Sequence, residues 1–140
     1  MENKKFTPKY DKLFWIILIP TVVFLIAMTV IPSIFAEVAL WIMLPIDLFV
    51  IYFLISPLVG YAELRENSLF IKFGFIIKKE IPYEKIRGAV KVRKTYSDSL
   101  IALKNSMDHV NVKYNTFDMV SISVDENDTF IEELNLRINK

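Results

Sequence analysis

Cysteine is absent from this 140-residue chain, histidine occurs once, and glycine occurs three times. Without cysteine there are no disulfides, thiolate metal sites or cysteine nucleophiles. His109 alone cannot supply a set of strong nitrogen ligands, so no metal or other cofactor is expected. Gly60, Gly74 and Gly88 are scattered singly and form no loop that would cradle a phosphate. The formal net charge of +1 gives no reason to expect a nucleic-acid partner. Ser97, Asp98, Ser99 and Asp108 lie near His109 in the sequence. No nucleophile elbow or oxyanion-hole signature accompanies them, so the chain is not expected to be an enzyme. His109 is expected on an exposed strand face.

What is abundant is apolar side chains, at 54% of residues. The excess is concentrated before residue 58. Residues 13–31 carry no charge, and residues 38–56 carry one, Asp47. Nineteen helical residues rise about 28 Å, nearly the thickness of a bilayer's hydrocarbon core. The six residues 32–37 between the runs form a turn, so the two helices must be antiparallel neighbours. Pro20 and Pro45 fall inside them and are expected to kink them. Lys4, Lys5, Lys9 and Lys12 precede the first run, Arg65 and Lys72 follow the second, and the turn has no cation. The positive-inside rule therefore puts both termini in the cytoplasm of a multi-pass cell-membrane protein. Trp15, Trp41 and Tyr52 lie toward the ends of the runs, where interfacial aromatics collect. Asp47 is the one intramembrane ionisable group. Such groups mark function or a polar contact between helices, and with no basic partner or polar stripe it makes a poor transport path.

After Pro57 the periodicity changes to two. Strands are expected over 61–64, 69–73 and 75–81, with turns at Glu66-Asn67 and Gly74. A further strand should place Ile86, Val90 and Val92 on one face and Arg87, Lys91 and Arg93 on the other. Val110, Val112 and Tyr114 alternate with His109, Asn111 and Lys113; Val120, Ile122 and Val124 alternate with Met119, Ser121 and Ser123. The result is a meander of five or six strands. Phe130, Ile131, Leu134 and Ile138 then share one helical face, with residues 125–128 supplying an N-cap and negative charge. Asn127-Asp128-Thr129 matches a glycosylation acceptor but fits this cap better. The fold class is α+β. A cytoplasmic tail (1–12) and a two-helix transmembrane hairpin (13–57) precede a cytoplasmic domain (58–140), a bent antiparallel sheet capped by the C-terminal helix.

Several local patterns resemble the bacterial pleckstrin-homology-like (PH-like) domains, specifically the YyaB-like group often attached to two N-terminal helices. They are a Leu-x-Ile-x-x-Gly turn at 69–74, the Ile81-Pro82 strand end and a Lys-Ile-Arg segment at 85–87. A serine–leucine stretch follows at 99–103, with a closing Ile-Ser…Phe-Ile…Leu pattern over 122–134. The segment 101–109 departs from the related pattern by lacking its arginine. The resemblance covers about the last three-fifths of the chain and implies a partly open PH-like barrel.

Charge in this part is segregated. Residues 72–94 carry a net +6 and residues 95–140 a net −4. Lys78, Lys79, Lys85, Arg87, Lys91, Arg93 and Lys94 are therefore the candidate face for a membrane or partner. Near an anionic leaflet each such cation contributes about 1 kcal/mol. The leading expectation is a membrane-tethered, non-catalytic module binding a protein, a peptide or anionic headgroups. Bacteriocin self-immunity is one alternative, and a subunit of a membrane enzyme or transporter is another.

Overall fold

The computed structural model describes residues 2–99 and 102–140. Leu100 and Ile101, part of the serine–leucine stretch, lie outside the described residues. Helix α1 (Lys12–Phe35) and helix α2 (Glu37–Val59) pack as an antiparallel pair. Both are long and apolar enough to cross a membrane. The connection is shorter than expected. α1 runs on through Pro32, and only Ala36 is extended, its N–H donating to the Pro32 carbonyl. Some hydroxyls within the helices return to their own backbone, as Thr21 does to Ile17 (2.7 Å) and Ser56 to Tyr52 (2.8 Å), which satisfies them without water.

The remainder is two four-stranded sheets and a helix. In the first sheet, β1 (Lys4–Phe6), β2 (Tyr61–Leu64), β3 (Ser68–Phe73) and β4 (Ile77–Pro82) lie in that order, all antiparallel. A 3-10 turn (Tyr83–Lys85) leads to β5 (Ile86–Arg93), β6 (Ala102–Leu103), β7 (Asp108–Tyr114) and β8 (Asp118–Ile122). These form the second sheet in the order β5-β7-β8-β6. Helix α3 (Asn127–Ile138) closes the chain. Leu64, Leu69, Ile71, Ile81, Leu103, Val110, Val112, Ile122, Phe130 and Leu134 are fully buried in one core between the sheets and α3. No ladder joins β4 to β5, so the barrel is partly open there; the Lys79 ammonium reaches the Tyr114 hydroxyl across the gap.

Four features go beyond the local periodicity. First, the segment before α1 contributes a strand to the domain. β1 pairs with β2 (Phe6 opposite Ala62), and the Phe6 ring meets Phe130 edge-on at 5.2 Å. Arg137 ties Glu2 in as well, donating to its carbonyl at 2.7 Å and to that of Arg65 at 3.0 Å. A three-residue strand, two of whose residues are lysines, carries too little periodicity to be read locally.

Second, the sheets are not a plain meander, because β6 pairs parallel to β8. Third, a β-bulge between Ile86 and Gly88 shifts the phase of β5. Ala89 and Lys91 then lie opposite the core residues Val112 and Val110, while Val90 is 52% exposed. A bulge adds one residue to one strand, so every later side chain changes face. Fourth, the side chain of Glu126 does not cap α3. Asn127 instead accepts from the Val124 N–H (3.0 Å) and donates to the Asp108 carbonyl (3.2 Å), fastening the helix start to β7.

Candidate functional site

The helix pair and the domain meet without a linker. α2 ends at Val59 and β2 begins at Tyr61. Gly60 and Gly74 make the close approach possible. A Cβ on Gly60 would collide with the Leu103 side chain and the Lys72 carbonyl. Gly74 has a φ of 70°, and a Cβ there would lie 2.5 Å from the Ser56 hydroxyl. Both positions therefore need glycine, one for space and one for space and backbone conformation. On the other side, the Tyr10 hydroxyl donates to the Leu58 carbonyl (3.0 Å), and the Asp11 N–H donates to the Asn105 carbonyl (3.0 Å). The Asp11 carboxylate accepts from the Met107 N–H at 2.8 Å, and that hydrogen bond holds its pKa below the ordinary value. The start of α1 and the end of α2 are thus both clamped to the domain.

The seven candidate cations do not form one face. Lys91 pairs with Asp128 on α3 (2.8 Å), Lys94 with Asp98 (3.2 Å), and Arg93 with Asp108 (3.9 Å). The acidic half of the domain folds back onto the basic half and neutralises part of it. Lys79 turns toward Tyr114, its ammonium 4.6 Å from the ring centroid. Lys78 sits on β4 directly opposite Lys72 on β3. Lys85 and Arg87 lie at the far end, where Arg87, Lys113 and Phe117 line a cleft of about 270 Å³. Among the described residues, Lys72, Lys78, Lys85, Arg87 and Lys113 make no ion pair.

His109 is not exposed, as expected from its strand face, but fully buried. The segment between β5 and β7 covers that outer face of the sheet. Asn111 donates to Asp98 (3.0 Å), and the Ser121 hydroxyl donates to Asn111 (2.7 Å). Lys104 fastens the segment by donating to the carbonyls of Lys94 and Tyr96 (2.8 and 2.6 Å). His109 Nδ1 lies 3.0 Å from the Met107 carbonyl, and burial pushes the imidazole pKa below its ordinary value. The neighbouring Ser97, Asp98 and Ser99 belong to this polar cover. Ser97 Oγ donates to the Ser99 carbonyl at 3.0 Å and accepts from the Ser99 N–H at 3.1 Å. No group of three or more metal-ligating side chains occurs among the described residues.

Asp47 is buried between the helices and accepts a hydrogen bond from Thr29 on α1. Thr29 is the partner that charge-counting overlooked. The turn at Gly74 is as expected, but Phe75 and Ile76, expected in the following strand, instead form the exposed tip of the β3–β4 hairpin. Phe75 and Ile76 are 51% and 75% exposed there, and the Phe75 ring centroid lies 6.0 Å from that of Tyr52 on α2. Three consecutive apolar residues after Gly74 were the available signal.

Among known proteins, no curated protein and no solved structure matches this chain. The family model described as "Bacterial PH domain" matches residues 60–137, more than half of the chain. That range begins at the glycine where α2 gives way to β2 and ends in the last turn of α3, and PH-like domains of this kind are in general non-catalytic interaction modules. The chain belongs to the bacterial PH domain family.

Proposed function

We propose that this protein is a membrane-tethered interaction module. In this reading α1 and α2 cross the cell membrane with both chain termini cytoplasmic, and the PH-like domain is held against the inner leaflet. There it binds an anionic partner, a protein or peptide segment or a lipid headgroup, through cations that its own carboxylates leave unpaired. The observation that carries the reading is the linker-free junction at Gly60 and Gly74, which packs the domain directly on the end of a helix pair whose apolar side chains face outward. Tethering raises the effective concentration of the domain at the membrane, so weak contacts suffice.

The test is affinity capture of the full chain from native membranes, beside a variant with Lys78, Lys85 and Arg87 changed to Ser. A protein partner recovered with the wild type and lost with the variant supports the reading and identifies the process. Anionic lipid enriched only with the wild type also supports it and selects headgroup binding. Identical recoveries would overturn the assignment of binding to these cations.

A further inference from the structure

We infer that the tip of the β3–β4 hairpin is a membrane-interface wedge, inserted into the headgroup and upper acyl region of the bilayer beside α2. This rests on the proposal that α1 and α2 span the membrane. Phe75 and Ile76 are large apolar residues at the apex of a tight turn, with most or half of their surface exposed. Exposed apolar groups at a loop apex gain no stability in water, whereas burying them in lipid is favourable.

Their position is set by packing. Phe75 lies against Tyr52, its ring tilted by 36° at 6.0 Å, one helical turn before Ser56, where the apolar part of α2 ends. Four residues of helix rise about 6 Å. The tip is therefore level with the last turn of the proposed span, the depth of about 5–10 Å at which interfacial aromatic and aliphatic groups settle. Gly74 packs on Ser56 as described, so the hairpin cannot lift away from α2 without opening that contact. On the other side of the pair, Tyr10, Phe14 and Trp15 cluster at the start of α1, with ring centroids 5.4–6.2 Å apart. Tyr10 bonds to Leu58, which brings this cluster to the end of α2 as well.

Charge agrees with the same occupant. Lys72 and Lys78 face each other across the β3–β4 ladder, one residue further from the apex than the Phe73–Ile77 pair. Like charges placed directly opposite repel. Neither lysine has an ion pair among the described residues. Two lysines behind an apolar apex match a leaflet in which anionic phosphate lies just above the acyl chains.

The experiment uses the full chain with Trp15→Phe and Trp41→Phe, carrying one new tryptophan at a time. The probes are Phe75→Trp, Ile76→Trp, Phe24→Trp in the middle of α1, and Phe117→Trp at the apex of the β7–β8 turn. That turn lies at the opposite end of β7 from Asp108, which adjoins the start of α1 through Met107. Each protein is reconstituted in phosphatidylcholine vesicles containing phosphatidylglycerol. The phosphatidylcholine is brominated either near the headgroup end of the acyl chain or near its methyl end.

The expected result is that shallow bromines quench more than half of the Phe75→Trp and Ile76→Trp emission. Deep bromines should quench Phe24→Trp best, and Phe117→Trp should be unaffected. If Phe24→Trp is quenched but both hairpin probes behave like Phe117→Trp, the wedge is wrong and the spanning reading stands. If Phe24→Trp is also unquenched, the spanning reading fails and the wedge falls with it. Either hairpin probe alone decides the matter should the other fail to fold.

Discussion

The helix pair and the PH-like domain are built with opposite polarity. In the domain the core is built of Leu, Ile, Val and Phe, and most charged side chains lie outside, with Arg137 a buried exception. In α1 and α2 the large apolar side chains point outward, while Thr29 and Asp47 are buried between the helices. A water-facing domain gains from removing apolar surface from solvent. On the membrane-spanning reading proposed above, lipid around α1 and α2 would remove that gain, and a polar contact between the helices would do part of the holding instead. One sequence therefore follows two rules, and the changeover occurs at Gly60.

The largest break in this comparison should come from the domain core. Phe130→Ala removes a fully buried ring that packs edge-on against Phe6. A loss of about 3–5 kcal/mol is expected, read by denaturant unfolding followed through domain fluorescence. Because Phe6 belongs to β1, the same variant should also speed amide exchange in residues 4–6.

Next comes the junction. Gly60→Val places branched carbon against Leu103 and the Lys72 carbonyl and should cost about 1–3 kcal/mol. The cost should read as a fall in the thermal unfolding midpoint relative to the wild type.

In the helix pair the same kind of deletion should matter less. Asp47→Leu exchanges a buried polar contact for an apolar side chain, and interhelical hydrogen bonds in lipid average well under about 2 kcal/mol. Helix association in reconstituted protein should fall by no more than about that amount, with the domain's own unfolding unchanged. Loss of folding in the domain would mean that the two regions do not obey separate rules.

A pH series sharpens the contrast within the domain. Burial lowers the His109 pKa from its ordinary 6.5, so the unfolded chain takes up the proton more readily than the folded one. The stability from keeping this imidazole neutral is complete above about 6.5 and is lost as pH falls toward the lowered folded value. His109→Leu should flatten the stability–pH curve in that window. The smallest effect belongs to Lys91→Met. Its partner Asp128 is largely exposed, so the change should stay within about 1 kcal/mol in a double-mutant cycle with Asp128→Asn.

Much of the fold was legible because periodicity is a local property. The inward faces of β7 and β8, with Val110, Val112, Val120 and Ile122, follow directly from alternation. So does the buried stripe of α3, Phe130 and Leu134. The same logic named the face of His109, Asn111 and Ser121 but expected His109 to be exposed there. Alternation assigns them to the other face, and only the fold decides that the segment around Asp98 and Lys104 covers it. The candidate cations illustrate the same limit, since Asp108 and Asp128, distant along the chain, fold back onto Arg93 and Lys91, while Asp98 pairs with its near neighbour Lys94.

By itself the sequence determined what depends on composition and near neighbours: two apolar helices, a strand-rich region with a closing helix, and the absence of thiol or multi-histidine chemistry. The tertiary structure alone decided what depends on long-range pairing. It joined residues 4–6 to β2, set β6 parallel to β8 and shifted the phase of β5 at its bulge. It also brought Phe75 to Tyr52. These contacts join residues far apart in the chain, and their energies come from fitting surfaces whose register no local pattern records.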